Sequence, residues 1–372
     1  MTKAAEPEAA PPRPAAERLF RWLALVWSVL TVYGSLYPFS GGARGAIDPF
    51  AWLNLRWPQY WTAFDMGVNV LVYLPLGFCV TLALRGCFRR RLVAPFLATL
   101  WGVFLSFAME SLQSWLPSRV ASNLDLLCNS LGTLAGSLIA AWCGPRLLAL
   151  WLNLRQRLFA PAPHVDLGLA LLGLWLLALL APENILFGTG RLHALAWLPA
   201  PRYDPGSYRF LEGAAVAANL LAVGLFAAAM TQGRWLALPM IALLFSLAFL
   251  IQGLGAALFL GPEDWLAWCT PGAAGGLRAG FLLLGIVLLL PPACRTPLAA
   301  LALLLATLLA YLVPADPYTA ATGMRPQWQN HFLNFKGLTR WIASIWPFLA
   351  LPYLFLAHRR FRISQATKPG SP

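Results

Sequence analysis

Long apolar runs broken by Pro, Gly or charge dominate the chain, and each run has the length that a bilayer demands. At a rise of about 1.5 Å per residue, roughly 20 apolar residues in a helix cross a hydrocarbon core of about 30 Å. Ten such runs follow one another, at about 20–37, 66–84, 92–114, 125–143, 166–182, 212–231, 235–260, 274–292, 298–313 and 339–357. They are continuous and lack the period-two alternation of a barrel strand. The pattern predicts an all-α, polytopic membrane helix bundle of about ten transmembrane helices.

Composition excludes a soluble alternative. With 59% hydrophobic and 11% charged residues, and a mean hydropathy of +0.65, the chain carries more apolar surface than a soluble fold of its length buries. Lys and Arg orient the bundle, because loops rich in them stay in the cytoplasm. The N-terminal segment, the loop with Arg85, Arg89, Arg90 and Arg91, the stretch with Arg146, Arg155 and Arg157, then Arg234, Arg295 and the C-terminal segment hold most of the 27 basic residues and fall on one side. Both termini are therefore expected in the cytoplasm. The formal charge of +13 is then a property of the inner face, where anionic lipid is the natural partner. Nucleic acid is not expected, because the basic residues are scattered among short loops.

The six cysteines include no CxxC pair, and the four histidines have no ligand spacing, so neither a metal nor a cofactor is expected. Residues 1–18, rich in Ala, Pro and Glu, read as a disordered cytoplasmic tail. Between that tail and a basic tail at 359–372, a shift of about 145 residues brings landmarks into register. Pro38 meets Pro182, Asp65 meets Glu212, Pro95 meets Pro239, and the pair Gly132 and Gly136 meets Gly276 and Gly280. The expected organisation is two parallel four-helix repeats, 19–143 and a degenerate 166–292, joined by a cytoplasmic linker at 144–165 and followed by two additional helices at 293–358.

Polar residues near span ends are the candidate chemistry, since charge in a bilayer is costly. Asp65 with Asn69, Glu110 with Gln113, and Asp125 with Asn129 stand three or four apart, so each pair shares a helix face. All fall at the outer ends of their spans, and Arg119 lies in the short connection between the last two. The seven residues predict an outer-leaflet, ligand-binding pocket in which Arg119 forks onto a carboxylate and one acid remains in excess. In the second half Glu110, Arg119, Asp125 and Asn129 have apolar, small or unmatched counterparts, which separates them from groups needed for packing. The aromatic stretch with Trp52, Trp57, Tyr60 and Trp61 reads as an interfacial belt or a lid over the pocket. Arg278 reads as snorkelling to the interface.

The spaced set Asp65, Asn69, Tyr73 and Pro75-Leu76-Gly77, followed by Glu110 and Gln113, Arg119, then Asp125, Asn129 and Gly132, resembles the VanZ-like membrane proteins, a family named after a teicoplanin-resistance component. The resemblance covers roughly residues 30–142, with an echo over about 170–290. It implies a four-helix membrane unit in a bacterial inner membrane and an envelope-related role, with glycopeptide resistance among the family's effects. It supplies no reaction. The leading expectation is a binding protein for a polar lipid headgroup, lipid-linked precursor or glycopeptide. The alternatives are an enzyme using carboxylate acid/base chemistry on a lipid, with Glu110 or Asp125 as the acid/base group and Arg119 on phosphate, and a proton-coupled transporter.

Overall fold

A computed structural model describes residues 14–37, 48–54, 56–58, 63–117, 119–162, 164–181, 184–188, 203–314 and 333–366. These form ten α-helices: α1 Pro14–Leu36, α2 Ala63–Leu84, α3 Val93–Gln113, α4 Asn123–Leu158, α5 Val165–Ala178, α6 Pro205–Met230, α7 Arg234–Phe259, α8 Pro271–Leu289, α9 Pro292–Leu312 and α10 Leu333–Ala366. Among the described residues nine helices are long and apolar enough to cross a membrane. The chain is a multi-pass membrane protein. The fifth expected span is α5, only 14 residues long.

Two helices outrun the sequence reading. α4 is 36 residues long and continues through most of the stretch expected to be a linker. Pro145 cannot donate to the Ala141 carbonyl, and Arg85 compensates: its Nη1 donates to Ala140 O at 3.1 Å and to Ala141 O at 3.5 Å. α10 likewise runs to Ala366, into the expected tail. Of the N-terminal tail, residues 1–13 lie outside the described residues, as do 367–372 at the other end.

The chain divides into two compact units, Met1–Arg157 and Leu158–Pro372. In the first, α1 and α3 run one way and α2 and α4 the other. Phe20 near the start of α1 meets Phe78 near the end of α2, with ring centroids 6.2 Å apart. Near the other end, Gln113 of α3 donates to Ser35 O of α1 at 2.8 Å. The middle is filled by Tyr73, Leu76, Leu105 and Met109, with Trp27, Val32 and Leu36 of α1 packed against them. Such helices gain little from hydrophobic transfer within lipid, so close packing and interhelical bonds hold them together.

The α2–α4 seam shows how close that packing is. A Cβ on Gly132 would strike the Val70 carbonyl, and one on Gly136 the Leu74 carbonyl. The second unit repeats the seam between α6 and α8: Gly276 sits on the Gly213 carbonyl and Gly280 against Ala217 and Leu220. Both pairs of helices are parallel. The carbonyl contacts set Gly213 in the place of Val70, so Glu212 corresponds to Asn69. The matching of Glu212 with Asp65 by sequence spacing is one helical turn out of register. Glu212 is buried and accepts from Thr270 Oγ1 at 2.5 Å. At the start of α6 the Asp204 side chain accepts from Ser207 N at 2.9 Å, and this bond holds its carboxyl below the usual carboxylate range.

Candidate functional site

One end of the first unit gathers the C-termini of α1 and α3 and the N-termini of α2 and α4, and the seven candidate residues fall within about two turns of it. Asp65 lies in the first turn of α2 and Asp125 in the first turn of α4. Asn69, one turn inward on α2, donates from Nδ2 to Asp125 Oδ1 at 2.8 Å. Between the two helix starts is a cavity of about 320 Å³, lined by Trp52, Arg56, Pro58, Asp65, Met66 and residues 120–125.

Asp125 reaches this cavity because another acid relieves it of a local duty. Ser122, just before α4, accepts from Leu124 N at 3.2 Å and Asp125 N at 3.4 Å through Oγ. In a capping box the acid three residues on would turn back to the Ser backbone N–H. Here Glu110 of α3 takes that N–H instead, Ser122 N donating to Oε2 at 2.8 Å. Glu110 is 3% exposed. It anchors the α3–α4 connection and leaves the Asp125 carboxylate to Asn69 and the cavity.

Arg119 departs from expectation. It does not fork onto a carboxylate; its guanidinium grips the end of α1, with Nε donating to Tyr37 O at 3.1 Å and Nη2 to Gly34 O at 3.2 Å, and Nη2 also to Tyr37 O. The reason is the unpaired carbonyls that every helix C-terminus presents, which attract a cation. Burial pushes the guanidinium below its ordinary range, and the nearby Glu110 charge partly restores it. Gln113, through its bond to Ser35 O, is the second clamp on α1. Asn129 sits one turn inward from Asp125, 5% exposed, with Nδ2 donating to Ser106 Oγ at 3.0 Å and no donor at Oδ1.

The seven residues therefore share one end of the bundle but divide into three functions. Gln113 and Arg119 fasten α1, Glu110 fastens the loop before α4, and Asp65 and Asp125 line the cavity, with Asn69 bonded to Asp125 and Asn129 one turn further along α4. The spacing along consecutive helices becomes one constellation. Residues 20–144 match the VanZ/LLP1 family model. Over that segment the chain is similar to the VanZ/LLP1 family. The match takes in α1 to α3, the first part of α4 and all seven candidate residues, and stops short of the second unit. No curated protein and no solved structure matches the chain.

Three residues of the site were not singled out in the sequence. Ser122 carries a readable signal, the Ser-x-x-Asp of a helix start. Arg56 and Ser106 carry none: one is a loop arginine and the other a serine inside an apolar helix. Trp52, part of the aromatic stretch, is buried, stacks obliquely on Phe107 at 5.9 Å and lines the cavity. Trp57 of the same stretch is exposed, and Tyr60 and Trp61 lie outside the described residues. Arg278 is exposed and donates to Ala274 O of its own helix at 3.2 Å. Among the described residues no three His, Cys, Asp or Glu side chains converge as metal ligands would.

Proposed function

We propose that the VanZ-like unit holds a polar lipid headgroup at the external end of its four helices, in the inner membrane of a bacterial envelope. The observation that carries this reading is the 320 Å³ cavity flanked by Asp65 and Asp125. Carboxylates beside membrane spans are costly and are kept where they serve a ligand. The second unit supports that view, since at its own glycine seam the acid Glu212 is taken up by Thr270. Orientation follows from Arg85, Arg89, Arg90 and Arg91 at the opposite end of α2, which the positive-inside rule assigns to the cytoplasm.

The volume lies at the small end of ligand sites, suited to a headgroup and not to a whole glycopeptide. An effect on glycopeptide susceptibility would then run through the lipid that the unit holds. Turnover has less support, because Glu110 is bonded to a backbone N–H and Arg119 to helix carbonyls. The test is lipid retention: the purified protein, loaded from a bacterial lipid extract, is read by native mass spectrometry beside a double variant Asp65→Asn, Asp125→Asn. Bound lipid is expected to fall at least about tenfold. A folded double variant that keeps as much lipid as the parent rejects the reading.

A further inference from the structure

The cavity lining combines two carboxylates, Asp65 and Asp125, with the guanidinium of Arg56, and that mixed charge points to a ligand. Asp65 and Asp125 line the cavity, and as carboxylates they only accept hydrogen bonds. Asn69 provides one donor to Asp125 Oδ1, and the hydroxyl of Ser122 is turned to accept from two backbone N–H groups. One turn further in on α4, Asn129 Oδ1 is buried and has no donor. Arg119, the cation expected to neutralise this set, is engaged by the carbonyls of α1. Among the described residues the cation that lines the cavity is Arg56, which is exposed and stands in the segment before α2.

A ligand that complements this arrangement needs a hydrogen-bond-donating cation at one end and an anion at the other. We infer that the headgroup carries a primary ammonium beside a phosphate, with the ammonium seated at Asp65 and Asp125 and the phosphate at Arg56. This rests on the headgroup reading of the cavity given above. The chemistry discriminates among common headgroups. A primary ammonium brings three N–H donors to a site rich in acceptors, whereas a trimethylated ammonium brings none. A phosphoglycerol headgroup brings no cation and sets its phosphate charge against two carboxylates. Arginine matches phosphate with a planar fork of donors.

The assay uses the full-length protein in detergent with phosphatidylethanolamine, phosphatidylcholine or phosphatidylglycerol of identical acyl chains, and bound lipid is counted by native mass spectrometry. Phosphatidylethanolamine is expected to be retained about tenfold over the other two, with Asp125→Asn removing that preference. The exposed Arg56 offers a variant that does not threaten folding: Arg56→Ala weakens phosphatidylethanolamine retention severalfold while leaving ethanolamine preferred over choline. Soluble O-phosphoethanolamine separates headgroup from lipid chain, and at roughly a hundredfold excess it displaces the bound lipid. Failure to displace, equal retention of ethanolamine and choline lipids, or a preference for phosphatidylglycerol each overturns the assignment. In those cases sensitivity of total lipid binding to the Asp65→Asn, Asp125→Asn double change still upholds the parent reading, whereas loss of any site-dependent lipid sinks the parent as well.

Discussion

Glu110 shows how a buried acid can shape a site that it does not enter. Its carboxylate replaces Asp125 as the acceptor for the Ser122 N–H, so two acids on different helices exchange what would be a local cap for a cavity. Replacing Glu110 with Gln keeps an acceptor oxygen, and the thermal midpoint in detergent should change little. Replacing it with Ala leaves the N–H unmet or draws the Asp125 carboxylate back onto it. The cost is then about 1.5–3 kcal/mol, read as a lowered midpoint together with reduced lipid retention. Which residues share the end of the bundle was legible from their three- and four-residue spacing. Their partners were not, because Arg119 and Gln113 bind main-chain carbonyls, and a backbone acceptor has no letter in the sequence.

At the scale of helices, the glycine seams decide the architecture. Gly136 has the Leu74 carbonyl and the Phe78 N–H where a side chain would go, and backbone cannot move aside as a flexible side chain does. Gly136→Ala should cost about 1–3 kcal/mol through overpacking, measured as a drop in the thermal midpoint. Gly67→Ala supplies the control, since its Cβ would meet nothing within 4 Å, and helix propensity then favours Ala by about 0.5–1 kcal/mol. The glycine pairs that spacing aligned between halves, Gly132 with Gly136 and Gly276 with Gly280, each sit at a close helix crossing. The acids were matched one turn out of register, because a polar residue can move along a face and still serve it, whereas a glycine at a crossing cannot. The length of α4 was hidden for a different reason: Pro145 reads as a stop, and the arginine that satisfies the released carbonyl is on another helix.

For the whole molecule, the fold class followed from the apolar runs, and the sidedness remains a matter of charge. Single-cysteine variants test it with a membrane-impermeant thiol reagent. Cys87, exposed beside the Arg85 to Arg91 loop, should label only after cells are permeabilised, and Cys269, exposed before α8, should label in intact cells. The reverse pattern would move the cavity to the cytoplasmic side and remove an external headgroup from consideration. The grip on α1 has its own consequence across the molecule. Arg119 and Gln113 recognise the carbonyls of Gly34, Ser35 and Tyr37, groups that every amino acid carries. Natural variation at those three positions should therefore be wide, while the two donors that read them stay invariant.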